Sequence, residues 1–272
     1  IDKFKEMCRE ANYVLSEDVS ERIEKAAGSE ENEIGRRKLE QIVQNMDIAK
    51  KDNIPICQDT GMTTVFMKIG QDVHIEGMLI EDAINEGIKR GYEEGYLRKS
   101  VVGDPLERIN TKDNTPAILY TDFIEGDHVE IEVMAKGFGS ENKSALKMLT
   151  PADGEEGVKK FVLETIKNAG PNACPPFVVG VGIGGTFDLC AKLSKEAMLR
   201  SIDQSNPDPR YKALEDTLLE EANALKIGPM GFHGATTALK IQIKQAPTHI
   251  AGLPVAVNIC CHVCRHAKKV IS

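Results

Sequence analysis

Tryptophan is absent, and aromatic residues make up only 5% of the 272-residue chain. Proteins that hold single-stranded nucleic acid stack its bases on aromatic rings, so this shortage argues against that class. A basic excess is missing too. The formal net charge is −8, whereas general nucleic-acid binding needs a lysine- and arginine-rich face. A small anion is not excluded by that total, because a local arginine cluster can bind one on an acidic protein. No apolar run approaches the ~18 residues of a membrane span. Residues 1–7 are amphipathic and lack the apolar core of a secretion signal. The seven cysteines are an odd number in a chain too long to need disulfide staples. A cytoplasmic setting with reduced or metal-bound thiols is therefore expected.

What is present is a globular composition with enough apolar content for a substantial core. Helical spacing of apolar residues predicts a helix from the first residues to about Leu15, a short one from Ser20 to Gly28 and a longer one over 33–50. Strand and helix patterns then follow to Ile69 and over Leu79–Tyr96. Residues 97–116 read as a long polar loop, of a length that usually signals function or disorder. Alternation over 117–123 and 128–135, joined by Glu125-Gly126-Asp127, predicts a β-hairpin. Helices are expected over 154–169, 186–200 and 211–225, with strands over 177–183, 238–244 and 253–259. No linker or internal repeat is visible. The fold class is α+β: a helical N-terminal part packed on mixed or antiparallel β-sheets, as a single compact domain over 1–272.

The stretch Ile54-Pro-Ile-Cys57-Gln58-Asp59-Thr60-Gly61-Met62 places a thiol, an amide, a carboxylate and a hydroxyl in succession. Pro55 stiffens the approach and Gly61 permits a sharp turn. Such a corner can aim several polar groups at one point, although a buried loop cysteine beside a turn aspartate fits the same residues. Two further cysteine sites, Cys174 in Gly170-Pro-Asn-Ala-Cys-Pro-Pro176 and the Cys260/Cys261/Cys264 group, also lie at element ends. Scattered thiols from three loops can converge on an iron–sulfur cluster, whereas a zinc finger needs paired knuckles. Ordinary buried cysteines remain the alternative on spacing alone.

These motifs occur together and in order: Cys57-Gln-Asp-Thr-Gly61, the Cys174 turn, Gly182-Ile-Gly-Gly185, and Pro247-Thr-His249-Ile-Ala-Gly-Leu-Pro254 leading to Cys261. From about residue 34 onward the chain closely resembles the class I fumarate hydratase and L-tartrate dehydratase family, in particular its alpha subunits. The resemblance implies a hydro-lyase with a [4Fe-4S] cluster on Cys57, Cys174 and Cys261, whose open iron acts as a Lewis acid on a small dicarboxylate. Fumarate hydration to (S)-malate is the implied reaction, with L(+)-tartrate dehydration as the alternative. It assigns proton handling to Asp59, a place near the substrate to His249, and carboxylate binding to Arg98. Gln58 and Gly139 are further substrate-binding candidates, with Lys143 and His233 as possible neighbours.

Glycines 137 and 139 open a short helix whose backbone N–H groups are expected to face an anion. A beta subunit or swivelling beta-type domain, absent from this sequence, is expected to complete the catalytic set. The chain alone is then inactive and works in an alpha–beta hetero-oligomer or as an alpha dimer. Cys260 and Cys261 should face opposite ways on an extended segment, so both cannot serve as ligands. A rival reading takes Gly180-Val-Gly182-Ile-Gly-Gly185 as a nucleotide-binding loop. The required second parallel strand with its acidic end does not follow, and the glycines are better explained by close backbone approach. A zinc-binding or purely structural protein is the third possibility.

Overall fold

A computed structural model describes residues 1–271. Its helices are α1 (Asp2–Tyr13), α2 (Glu17–Ser29), α3 (Glu33–Asp52), α4 (Ile80–Glu94), α5 (Phe138–Glu141), α6 (Gly154–Ala169), α7 (Phe187–Ala197) and α8 (Pro209–Ala224). Its strands are β1 (Met62–Gly70), β2 (Ile118–Ile124), β3 (Val129–Lys136), β4 (Ala145–Leu149), β5 (Phe177–Gly185), β6 (Ala238–Thr248), β7 (Leu253–Cys260) and β8 (His266–Ile271). The class is α+β. The chain forms two compact units, one from Ile1–Ser16, Asn45–Phe138 and the segment after Cys264, the other from Glu17–Gln44 and Gly139–Cys264. Among the described residues, no helix is long and apolar enough to cross a membrane.

In the first unit four strands run in the order β2-β1-β3-β8. β1 is parallel to β2 and antiparallel to β3, and β3 is antiparallel to β8. The core joins Phe4, Met7 and Ala11 of α1 and Ile84, Ile88 and Tyr92 of α4 to Val65, Met67, Ile131 and Val133 of the sheet. These positions recur at helical spacing on the helices and alternate on the strands, as burial of one face requires.

The expected hairpin is not formed. β2 and β3 both pair with β1, which lies between them. Their short connection passes over the end of β1 instead, with the N–H groups of Gln71 and Asp72 donating to Ile124 O at 2.8 Å and Gly126 O at 3.0 Å. Gly70 is where this crossing is tightest: a Cβ there would stand 2.3 Å from Gly126 O. Alternation and a brief turn describe adjacent and next-but-one strands equally well, so the pattern could not separate them.

The second unit has the order β4-β7-β5-β6. β5 is parallel to β6 and antiparallel to β7, which is antiparallel to β4. Its core combines Val158, Val162 and Ile166 of α6 and Leu214 and Leu218 of α8 with Val179, Val181, Ile241 and Val257. α6 occupies the span expected from its periodicity, while α2 begins at Glu17, three positions before Ser20.

The glycines of β5 let α7 lie against the strand. A Cβ on Gly180 would meet Ser194 O at 1.9 Å, and one on Gly182 would meet Cys190 O at 2.0 Å. Close packing therefore accounts for the glycine pattern that also matched a nucleotide loop. The antiparallel β5–β7 pair departs from the parallel sheet which that fold needs.

Candidate functional site

The Cys57 corner belongs to the first unit. Its backbone is fixed from several directions. The Ile56 N–H donates to Asn12 O at 3.0 Å, and Asn45 Nδ2 donates to Ile56 O at 2.9 Å. Thr60 Oγ1 donates to Arg98 O at 2.7 Å, while Tyr92 Oη donates to Thr60 O at 2.7 Å. Burial pushes the Tyr92 phenol above its ordinary range, so it keeps the proton that this bond requires. Asn114, fully buried in the second half of the long polar loop, accepts the N–H groups of Ser100 and Val101 and donates to Gly61 O at 3.1 Å. Together with the Thr60–Arg98 bond, that amide ties the 97–116 loop to the corner, and bonds within the loop such as Asn110 Nδ2 to Lys99 O add to its order.

Asp59 is half-buried, and both carboxylate oxygens accept backbone N–H groups, Oδ1 from Gly61 at 3.0 Å and Oδ2 from Phe138 at 2.9 Å. The carboxylate is held in one orientation, with a lone pair on each oxygen still available. This alters the expectation for the loop after β3. α5 is a single turn of four residues, and the anion at its first N–H is the protein's own Asp59. Gln58, next to Cys57 in the chain, is exposed, as is Arg98, whose carbonyl accepts the Thr60 hydroxyl. Two buried cations lie in the same unit, Lys136 at the end of β3 and Arg265 before β8, at 2% and 3% exposure. Sequence patterns missed both, because no motif or spacing marks either residue.

The second unit carries Cys174 and Cys261. Cys174 follows α6 through a tight turn, in a left-handed conformation with φ 52°. Its carbonyl accepts the N–H of His262 at 3.3 Å and lies 3.0 Å from His262 Nδ1. The strand register places Val178 opposite Cys260. Thus the Cys174 turn and the Cys261-His262 segment meet at one end of this sheet.

His249, in the β6–β7 connection, is exposed, and its Nδ1 accepts the Ala251 N–H at 3.2 Å. In the neutral ring Nε2 then carries the proton and is the free donor. Gly139 stands on α5, which is anchored by Glu141 through a salt bridge to Lys195 and a bond from Asn258 Nδ2 at 3.2 Å. A Cβ on Gly139 would meet nothing within 4 Å, so the unit's packing does not require a glycine there. Lys143 lines a cavity of about 310 Å³ with Asn142, Phe161 and Asn168. His233 is exposed with Nδ1 3.2 Å from Lys226 O.

Burial sorts the seven cysteines. Cys8, Cys190, Cys260 and Cys264 are buried, whereas Cys57, Cys174 and Cys261 are partly exposed. Desolvation pushes the Cys8 thiol up to about 12 and raises Cys190 as well, so both remain protonated packing residues at neutral pH. The three partly exposed cysteines have sulfur nearer the surface than the four buried ones. Among the described residues no group of three or more Cys, His, Asp or Glu side chains is assembled around a single metal ion. Thiolate sulfur is the donor type that iron–sulfur clusters take, and the partly exposed Cys57 of the first unit and Cys174 and Cys261 of the second each offer it.

The first unit thus presents a carboxylate fixed through both oxygens and an exposed arginine, and the second presents two partly exposed thiols. Comparison with known proteins identifies the family. The fumarate hydratase (Fumerase) family profile matches residues 1–270. The chain belongs to that family of hydro-lyases. A putative L(+)-tartrate dehydratase subunit alpha from Methanocaldococcus jannaschii is 47% identical over 270 residues, covering 97% of this chain and 94% of the relative. An L(+)-tartrate dehydratase subunit alpha from Escherichia coli strain UTI89 is 34% identical over 251 residues, covering 91% and 82%.

Proposed function

We propose that this chain is the alpha subunit of an iron–sulfur hydro-lyase acting on a four-carbon 2-hydroxydicarboxylate, with Cys57, Cys174 and Cys261 as the cluster ligands. The observation that carries the reading is the separation of these three partly exposed cysteines from four buried ones, in a chain whose whole length matches a hydro-lyase family. A [4Fe-4S] cluster on three thiolates supplies an open iron whose positive charge stabilises a departing hydroxide.

The chain's own residues supply the remaining steps. Asp59, fixed through both oxygens, takes the proton from the carbon beside the second carboxylate and returns it in the hydration direction. Arg98 offers a planar guanidinium for a bidentate grip on a substrate carboxylate. His249 presents Nε2–H as a hydrogen-bond donor. Gln58 adds an exposed amide, and Gly139 leaves room for substrate against the backbone. A beta-type partner contributes the rest of the catalytic set, and the site operates in the alpha–beta assembly in the cytoplasm.

Fumarate and (S)-malate are the first substrate pair, in keeping with the family. The names of the relatives favour L(+)-tartrate as the second reading. Anaerobic turnover of the chain co-expressed with its beta partner tests both, on malate and on each tartrate enantiomer. Substrate-dependent dehydration of one of them, lost when the beta partner is omitted, is the expected result. Full activity of the chain alone would remove the two-subunit reading, and no turnover on any of them would remove the hydro-lyase reading.

A further inference from the structure

We infer that Arg265 is a positioning residue for Asp59, an assignment that rests on the hydro-lyase reading above. Its side chain is 3% exposed. Nε donates to Ala135 O at 3.0 Å, and Nη2 donates to Asp59 O. Nη1 is buried and has no hydrogen-bond partner among the described residues. A guanidinium so deeply placed ordinarily answers a carboxylate, because removing its charge from water is costly. Here its two bonded nitrogens instead bridge neutral carbonyls, one on β3 and one on the corner.

The bridge fixes the main chain from which the Asp59 carboxylate projects, while Gly61 and Phe138 fix the carboxylate itself. The same groups border one spot. A Cβ added to Gly137 would stand 3.1 Å from Asp59 Oδ2 and 4.0 Å from Arg265 Nη2. Arg265 thus sets the place of the acid–base group through its main chain, without touching the reacting atoms. A shift of the order of 1 Å in a catalytic group costs about 10²-fold in rate, so the placement has kinetic consequences.

Four forms of the cluster-loaded alpha–beta complex test this: wild type, Arg265→Met, Asp59→Asn and the double variant. Arg265→Met should lower kcat by about 10²-fold with KM within about threefold. The double variant should be no slower than Asp59→Asn, since both substitutions disable one group. Losses that multiply would overturn the inference. Independently of turnover, amide exchange of residues 57–61 should quicken in Arg265→Met, and unchanged exchange there would also overturn it. A wild-type complex inert on malate and tartrate would instead remove the hydro-lyase reading, while the exchange result still decides whether Arg265 pins the corner. Should Arg265→Met not fold, Arg265→Lys carries both readouts, with a charge kept but only one carbonyl reached and intermediate values expected.

Discussion

The two units use one strand-pairing pattern to hold different chemistry. Each sheet has a central strand with a parallel edge strand on one side and two successive antiparallel strands on the other: β2-β1-β3-β8 in the first, β6-β5-β7-β4 in the second. In both, the chain runs from the centre through helix to the parallel edge, then returns by a short connection to the far side of the centre. The differences lie in packing and cargo. β5 is buried along nearly its whole length and its glycines admit α7 at backbone contact, whereas β2 exposes Phe123 at 80%. The first unit holds the carboxylate and arginines, and the second holds two of the three partly exposed thiols and His249. A shared scaffold therefore says little about function, which resides in side chains at strand ends.

The largest effect that would sharpen this division is on turnover. Asp59→Asn in the alpha–beta complex should reduce kcat by about 10²–10⁴-fold, with the cluster spectrum unchanged, because the substitution removes a proton carrier and no sulfur. Loss of the cluster in that variant would blur the assignment of separate tasks to the two units. Packing gives the next contrast. Gly182→Ala drives a methyl into the α7 backbone and should cost about 3 kcal/mol by urea unfolding. Gly70→Ala meets the backbone of the Gly126 connection at 2.3 Å, a looser fit than the 2.0 Å at Gly182, and about 1–2 kcal/mol is expected. The reverse order would contradict the view that the second unit is the more tightly packed.

A smaller effect concerns alkaline pH. Burial raises Cys8 from its ordinary 9.0 to about 12 and raises Tyr92 above 10.0, both in the first unit. Unfolding lets these acids ionise at their ordinary values, so their contribution is intact below pH 9 and declines as pH rises toward 12. The limiting slope is about 1.4 kcal/mol per pH unit per group. Cys8→Ala should lessen the loss of stability between pH 9 and 10 in urea titrations, and an unchanged loss would contradict the assignment. Least perturbing of all, Gly139→Ala should leave stability within about 0.5 kcal/mol, because its methyl enters open space. It should nevertheless raise KM several-fold if substrate approaches that backbone; an unaltered KM would release Gly139 from the site.

Long periodic elements were legible in the sequence. α6 spans the residues its apolar stripe marks, and β1 follows Gly61 as the corner implies. Strand adjacency was not, because alternation in β2 and β3 reports a face rather than a neighbour. The edge strands β4 and β8 escaped notice because one partner ladder and a largely wet surface leave little apolar signal. Of the candidate site, the motif residues could be named in advance, but the clamps on them could not. Arg265, Asn114 and Tyr92 reach the corner from 206, 53 and 32 residues away along the chain. Such partners become visible only when the chain has folded.

The most direct measurement is anaerobic cluster reconstitution on wild type and on the seven single Cys→Ser variants, followed by visible absorption and iron and sulfide content. The account predicts that Cys57→Ser, Cys174→Ser and Cys261→Ser each lose the cluster, while changes at Cys8, Cys190, Cys260 and Cys264 leave it in place. Retention of a full cluster when any of the first three is replaced, or its loss through Cys260 in place of Cys261, would contradict it.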